Sequence, residues 1–229
     1  MIYRFLKRLI DVFVSLALIV LLSPFLILTM ILLKVTGDGD IFFTQKRYGL
    51  HNKLFKIWKF ATMFKGSEHK GTKTITLRDD PRVTPIGSFL RKTKLNELPQ
   101  LINVLLGEMS LVGPRPQGKF EFEAYPEYVQ KHIYDCTPGI TGIASIIFRD
   151  EEKFFNNSDM DAKSFYLDVI APYKGEVELW YRNHQTIFVD LKIMILTAWV
   201  IVFPNDDKII FSVFPSLPKF EPQLSGVNF

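Results

Sequence analysis

The chain begins with a long apolar stretch and continues with segments in which apolar residues recur at helical or strand spacing. Residues 12–33 carry no charged side chain. As one helix, this stretch would be about 33 Å long, enough to cross the hydrocarbon core of a membrane. It is too long for the apolar part of a cleaved signal peptide, and it lacks a small-residue cleavage site. The pattern therefore predicts a retained membrane segment.

Ser23 and Pro24 divide this stretch, because proline removes a helix hydrogen bond and disfavours helical geometry in the residue before it. Each half would reach only about 16 Å, roughly half the depth of the hydrocarbon core. Basic residues flank both ends, and the positive-inside rule assigns such flanks to the cytoplasm. A re-entrant helix that breaks at Ser23 and Pro24 satisfies both flanks. A kinked helix that spans the membrane is the alternative.

Two further helices are predicted after the membrane segment. Residues 96–107 carry leucine and isoleucine at helical spacing, with Asn96 expected as the N-cap, Pro99 in the first turn and Gly107 at the end. Residues 186–203 are apolar but are interrupted by Asp190 and Lys192. Their uninterrupted part is too short to span a membrane, so a core or interfacial helix is expected there.

Composition narrows the candidate functions only slightly. The chain has 28 Lys and Arg against 24 Asp and Glu, a net charge of +4, which suits an anionic membrane surface, a phosphorylated substrate or nucleic acid alike. A single cysteine excludes an internal disulfide, and the four histidines lack the spacing of metal ligands. No recognised nucleic-acid-binding module is present, so nucleic acid is not an expected partner.

Candidate chemistry is concentrated around one predicted helix start. Asn96 and Glu97 lie there, and a helix N-terminus attracts anions. Arginine binds phosphate through two parallel hydrogen bonds, and the arginines near this point in the sequence are Arg78, Arg82, Arg91 and Arg115. Pro114 and Pro116 hold Arg115 in a stiff loop. A structural explanation, with Asn96 as a cap and Glu97 as a first-turn acid, accounts for the same spacing.

Several segments, taken in order, resemble the small form of the bacterial sugar transferases known as monotopic phosphoglycosyl transferases. They are KRLIDVFVSLALIVLLSPF, FFTQKRYG, KF-A-TM, DPRVTPIGSFLRKTKLNELPQLINVLLGEMSLVGPRP, PGITG and VDLKIMILT. The long central block is the most specific of them. The resemblance implies a re-entrant N-terminal helix broken at Ser23 and Pro24. It also implies transfer of a sugar 1-phosphate from a UDP-sugar to a polyprenyl (undecaprenyl) phosphate with Mg²⁺, which releases UMP and starts a surface glycan.

The resemblance also implies roles for individual residues. In the family an Asp-Glu pair opens the helix, and the Asp attacks the phosphate to form a covalent phosphosugar intermediate. Asn96 stands at the position of that Asp, and Glu97 matches the Glu, as a catalytic residue and a Mg²⁺ ligand. The expected substrate-binding residues are Lys59, Arg78, Arg82, Arg91, Pro114, Arg115 and Pro116. Ala61 occupies a position where the family usually has arginine.

Asn96 changes what can be expected of this chain, because an amide lacks the anionic oxygen needed to form an acyl phosphate. Three explanations are open. Glu97 takes over the attack or supports another route; the chain is an inactivated variant; or it is a non-catalytic, membrane-bound scaffold that binds nucleotide sugar or lipid.

The expected architecture is an α/β, mostly helical, monotopic membrane protein. Residues 1–40 form the re-entrant helix and its flanks, residues 41–203 a cytoplasmic catalytic domain with interfacial helices, and residues 204–229 an irregular tail. The expected location is the cytoplasmic face of the inner membrane. The expected partners are a polyprenyl phosphate, a UDP-sugar and the inner leaflet, with a homodimer as a further candidate.

Overall fold

The computed structural model describes residues 2–36, 38–66, 80–149, 162–203 and 208–219. The helices are α1 (Ile2–Val35), α2 (Pro85–Lys92), α3 (Gln100–Leu106), α4 (Lys119–Glu123), α5 (Glu127–His132), α6 (Ile143–Ile147), α7 (Ala162–Phe165), α8 (Ala171–Asn183), α9 (Ile187–Val202) and α10 (Lys208–Val213). A π-helical segment, Tyr166–Ile170, joins α7 to α8, and 3₁₀ turns occur at Leu50–Asn52 and Leu95–Glu97. The strands are β1 (Phe42–Tyr48), β2 (Leu54–Phe60), β3 (Ser110–Val112) and β4 (Gly139–Thr141). The mostly helical character matches the prediction.

The apolar N-terminal segment is one helix that continues through Pro24. The predicted break at Ser23 and Pro24 is therefore wrong as an interruption of helical structure. Proline at position 24 has no amide to donate to the carbonyl of Val20, four residues earlier. The Ser23 hydroxyl donates to that carbonyl instead, at 2.8 Å. This local replacement lets the helix tolerate the proline.

The strands of the described residues form two small sheets of two strands each. β1 pairs antiparallel with β2, from Phe42 opposite Phe60 to Tyr48 opposite Leu54. β3 pairs in parallel with β4, with Ser110 opposite Gly139. A parallel pair requires a crossover, and α4 and α5 lie in the chain between these two strands.

The helix predicted at residues 96–107 begins later than expected, because α3 starts at Gln100 after a 3₁₀ turn. The assignment of Asn96 as the N-cap is wrong. An N-cap side chain accepts from an amide two or three residues on, but Pro99 has no amide and the Leu98 amide donates to the Leu95 carbonyl. The predicted end is confirmed: Gly107 follows α3 with φ +83°, a left-handed conformation that glycine adopts without strain.

The main core lies between α6, α8 and α9, and the C-terminal segment contributes to it. Val177 and Ile193 are fully buried there. Ile210 of α10 and the following Phe214 and Leu217 pack into the same cluster. The prediction of an irregular tail is thus wrong for residues 208–213. The prolines bound this short helix without preventing it, and its apolar residues are buried against the core.

Apolar side chains remain exposed along α1 and α9. In α1 the buried residues follow one face, from Asp11 and Ser15 to Thr29 and Leu33. The exposed large apolar side chains of this helix include Phe13, Leu16, Val20, Leu21, Ile27, Leu28 and Ile31. Those of α9 include Phe188, Leu191, Ile195, Trp199 and Val202. By length and composition α1 is able to cross a membrane, whereas α9, with 16 residues, is the shorter helix expected from the sequence.

Candidate functional site

Lys59 and Glu97 meet although 38 residues separate them in the chain. Lys59 lies near the end of β2, and Glu97 closes the 3₁₀ turn ahead of α3. The Lys59 Nζ donates to Glu97 Oε1 at 2.9 Å. The hairpin and the turn thus bring two of the predicted site residues into direct contact.

Arg115 reaches the same carboxylate from the loop that follows β3. Its Nη2 donates to Glu97 Oε1 at 2.8 Å, and its Nη1 lies 3.5 Å from Oε2. Burial acts to raise the pKa of Glu97, but the charges of Arg115 and Lys59 outweigh it and hold that pKa well below its ordinary value. Glu97 is therefore an ionised carboxylate between two cations. The structure brings Lys59, Glu97 and Arg115 together, and these three form the charged cluster of the site.

Closely packed backbone explains where the Arg115 loop lies. The Gly113 amide donates to the Thr141 carbonyl and the Gly139 amide to the Pro114 carbonyl, both at 2.9 Å. A Cβ on Gly139 would overlap the Gly113 amide. The glycine of the PGITG segment is therefore needed for the close approach of β4 to the loop that begins at Gly113 and holds Pro114 and Arg115.

Asn96 is buried beside Glu97, with 8% of its surface exposed. Its Oδ1 accepts no hydrogen bond from any residue that the structure describes. A buried polar atom without a partner costs free energy unless a ligand or water satisfies it. The position thus has the properties of a functional residue and lacks those of a helix cap.

Arg47 is a residue of this region that the sequence did not single out. It lies on the same face of the β-hairpin as Lys59, because both follow the two-residue alternation of the register. Its Nη1 lies 3.6 Å from Glu121 Oε2, and its Nη2 donates to Gln45 at 2.7 Å. The polar residues of FFTQKRY follow one another without alternation, so the pairing of β1 with β2, and not the sequence pattern, shows this placement.

The other predicted arginines have different described partners. Arg82 donates to both oxygens of Asp80, with Nη2 to Oδ2 at 2.6 Å and Nε to Oδ1 at 2.9 Å. Arg91 donates to the Thr62 hydroxyl at 3.4 Å. These contacts do not place them in the charged cluster, and their substrate contacts stay a prediction. Arg78 lies outside the described residues.

Polar contacts attach the start of α1 to the elements behind the site. Lys7 Nζ donates to Asp190 Oδ2 at 2.7 Å and to the Val112 carbonyl at 2.9 Å. Asp11 accepts from the Leu111 amide at 2.9 Å, and Arg8 donates to the Leu105 carbonyl at 2.8 Å.

The sequence analysis treated Asp190 only as an interruption of an apolar run. A charged residue inside an apolar helix usually has a specific partner, and that signal could have identified this pair.

A magnesium site formed by the protein alone does not fit the described residues. No group of three or more His, Cys, Asp and Glu side chains suited to a metal occurs among them. Glu97 is the carboxylate of the charged cluster, and Lys59 and Arg115 donate to it. Mg²⁺ at nucleotide sites keeps several waters and takes one or two carboxylates together with phosphate oxygens. Within the charged cluster, the Glu97 carboxylate is the one group with the kind of oxygen ligand that Mg²⁺ takes.

Comparison with known proteins agrees with this chemistry. Residues 2–204 match the family described as bacterial sugar transferase. The exopolysaccharide production protein PSS of Rhizobium leguminosarum bv. phaseoli is 41% identical over 200 residues, which cover 84% of this chain and 93% of the relative. The UDP-glucose:undecaprenyl-phosphate glucose-1-phosphate transferase of Escherichia coli K12 is 36% identical over 199 residues (86% and 40%). The undecaprenyl-phosphate galactose phosphotransferase of Salmonella typhimurium is 35% identical over 214 residues (87% and 41%). The chain thus spans about two fifths of these last two relatives.

Proposed function

Because the chain belongs to the bacterial sugar transferase family, we propose that it transfers a sugar 1-phosphate from a UDP-sugar to undecaprenyl phosphate or a related polyprenyl phosphate. The reaction releases UMP and starts the assembly of a surface glycan. Two relatives are named for the transfer of a sugar phosphate to undecaprenyl phosphate, and a third for exopolysaccharide production. The observation that carries the proposal is the cluster of Lys59, Glu97 and Arg115 beside residue 96.

The cluster suits a diphosphate for electrostatic reasons. Two cations and one carboxylate leave a net positive charge in a partly buried place, where charges are weakly screened. The Arg115 side chain is 35% exposed, so a phosphate can reach it. Its planar fork offers two parallel hydrogen bonds. In this proposal the diphosphate accepts hydrogen bonds from Lys59 and Arg115, which otherwise donate to Glu97. Glu97 would then be one ligand of Mg²⁺, which would neutralise phosphate charge.

Residue 96 is the proposed point of covalent attack in this family. A carboxylate oxygen there would form a bond to phosphorus while UMP leaves with the electrons of the broken oxygen–phosphorus bond. Asn96 offers a neutral amide oxygen, which is a poor nucleophile. This favours a second candidate function, a membrane-bound protein that binds nucleotide sugar or lipid without transfer.

A UMP-release assay separates the two functions. Purified protein is given undecaprenyl phosphate, Mg²⁺ and a panel of UDP-sugars, and binding of each UDP-sugar is measured in parallel. The transferase proposal expects continuous UMP release only when both substrates are present, whereas UDP-sugar alone releases no more than one UMP per protein as the covalent intermediate forms. Binding without turnover would support the non-catalytic alternative. The absence of both turnover and UDP-sugar binding would contradict the transfer reaction and the binding of nucleotide sugar.

We propose that α1 does not cross the membrane but enters and leaves on the cytoplasmic side. Near its start, Lys7 binds Asp190 of α9, and near its end, Leu33 is buried against Phe60 and Leu90. A helix that spans the bilayer would hold these two groups of contacts on opposite sides. The same folded body cannot supply both unless both ends of α1 are on its side of the membrane. The exposed apolar faces of α1 and α9 are then available to a single leaflet.

Engineered cysteines test this topology. In a Cys136→Ser background, Arg4→Cys and Asp40→Cys place a thiol on each flank of α1. We expect an impermeant maleimide to label neither thiol in spheroplasts and both after lysis. Lys131→Cys on α5, an exposed position of the folded body, is the matched control for the cytoplasmic side. Labelling of either flank from outside, with the control unlabelled, would show that the helix spans the membrane.

A further inference from the structure

Glu178 is a buried carboxyl behind the loop that carries Arg115. It lies on α8 with none of its surface exposed. Its Oε1 accepts a hydrogen bond from the Arg115 backbone amide at 3.0 Å. Its Oε2 is also buried and receives no hydrogen bond from the described residues. A buried acid with one unsatisfied oxygen is costly to folding, so packing alone does not account for it.

The amide that donates to Glu178 is that of Arg115, and the guanidinium of the same residue binds Glu97. The Arg115 carbonyl is held as well, by the Tyr134 hydroxyl at 2.8 Å. The same hydroxyl accepts from the Gln117 amide at 2.9 Å. Prolines on both sides of Arg115 restrict the backbone further. Both polar groups of the Arg115 backbone are thus fixed by buried side chains, and the guanidinium projects from this fixed point.

We propose that Glu178 is a positioning residue that fixes Arg115 for the substrate diphosphate through its backbone amide, and that this hydrogen bond strengthens when Glu178 ionises. A hydrogen bond to a carboxylate is roughly twice as strong as one to a neutral acceptor. The contact with substrate rests on the proposed transfer reaction, but the hydrogen bond to the amide does not. Burial raises the pKa of Glu178 to about 7, so the change occurs near neutral pH.

The other charged or titratable groups that act on Glu178, or feel its charge, come from several elements. Lys174 on α8 and Arg115 are the cations that act on it. Tyr125, Tyr134 and Cys136 also feel its charge, and burial raises the pKa of each above its ordinary value. These three are therefore neutral around pH 7. Compared with these three groups, Glu178 is the one whose pKa lies near neutral pH.

The hydrogen bond can be observed directly in the full-length protein labelled with ¹⁵N-arginine. The Arg115 amide signal is identified by its loss in Arg115→Lys. We expect this signal to shift with pH with a midpoint near 7. In Glu178→Gln, which keeps an acceptor of the same size but does not titrate, the shift should disappear. The control Glu176→Gln changes an exposed glutamate on the same helix and should leave the shift unchanged.

Kinetics supply the second measurement. In an Asn96→Asp background, which supplies a carboxylate at residue 96, we expect kcat for UMP release to rise with pH through the same midpoint, and this rise to be absent in Glu178→Gln. In Glu178→Leu the acceptor is lost, and kcat should fall by at least about tenfold, since small misplacements of catalytic groups are costly. The thermal midpoint of this variant should change little, because the cost of leaving the Arg115 amide without an acceptor is offset by the removal of a buried acid.

The outcomes distinguish this proposal from the proposed function. An Arg115 signal that does not titrate, or that still titrates in Glu178→Gln, would overturn the proposal. A loss of kcat in Glu178→Leu that only follows a lowered thermal midpoint would also overturn the positioning role. A titrating signal in a protein that releases no UMP in any variant would instead contradict the transfer reaction and leave the hydrogen bond established.

Discussion

Replacing Asn96 by Asp is expected to raise the rate of UMP release by at least about 100-fold, or to create activity where none exists, because only a carboxylate can attack phosphorus and later leave. Given a UDP-sugar but no lipid acceptor, Asn96→Asp should carry a phosphosugar adduct on residue 96 that peptide mass spectrometry detects. The unaltered chain should show no adduct there. Any residual turnover of the unaltered chain should be lost in Glu97→Gln.

The surroundings of residue 96 indicate that Asp is tolerated there. Asn96 is not a helix cap, and its Oδ1 has no partner among the described residues, so the exchange breaks no described hydrogen bond of that oxygen. Lys59, Glu97 and Arg115 together carry a net positive charge, which a carboxylate at position 96 would balance. Asp is nearly the same size as Asn, so packing should change little.

Asn183→Asp is the matched control, because it makes the same chemical change at an exposed position at the end of α8. It should leave UMP release unchanged. A chain that turns over at a normal rate with Asn96, and that gains nothing from Asn96→Asp, would show that residue 96 is not the nucleophile. The adduct would then be sought on Glu97.

The elements that the sequence predicted best are those set by local chemistry. The run at residues 12–33 forms a long helix, as its length and its lack of charged residues predicted, although the break expected inside it is absent. Gly107 ended α3 because that position requires a left-handed backbone. Two local predictions, the break at Pro24 and the N-cap at Asn96, were wrong because of residues close to them in the chain. The Ser23 hydroxyl replaces the hydrogen bond that Pro24 removes, and Pro99 leaves Asn96 without an amide to cap.

In the site, too, the residues with a local signal were predicted and those that depend on distant segments were not. Glu97 and Arg115 were found from residue type and from the rigid loop, and their contact at 2.8 Å agrees with a shared role. Lys59 entered only through the family resemblance, because 38 residues separate it from Glu97. Glu178 gave no signal, since a glutamate in a helix of mixed composition is typical of a solvated face. Contacts between distant segments depend on packing, which spacing alone does not reveal.

Glu97→Gln is expected to cost about 2 to 3 kcal/mol of unfolding free energy at pH 7, because it leaves Lys59 and Arg115 close together without their carboxylate. Removing one partner of a fully buried ion pair costs roughly 3 to 5 kcal/mol. The expected cost is smaller than for a fully buried pair because about a third of the Arg115 side chain is exposed to solvent. The measurement is the thermal midpoint in detergent at a fixed heating rate. Glu123→Gln removes an exposed partner of Lys119 and should change little.

The pH dependence of this cost follows from the pKa of Glu97, which is held well below its ordinary value of 4.5. A carboxyl with a lowered pKa contributes its full stability above the unfolded value and loses it as pH falls through the folded value. The difference between the unaltered chain and Glu97→Gln should therefore be constant above about pH 5 and shrink in more acidic solution. A difference no larger than that of Glu123→Gln, or one that does not shrink in acid, would show that the cluster does not form. If it forms, UDP without Mg²⁺ should raise the midpoint of Glu97→Gln more than that of the unaltered chain, because its phosphates then meet two cations that no carboxylate neutralises.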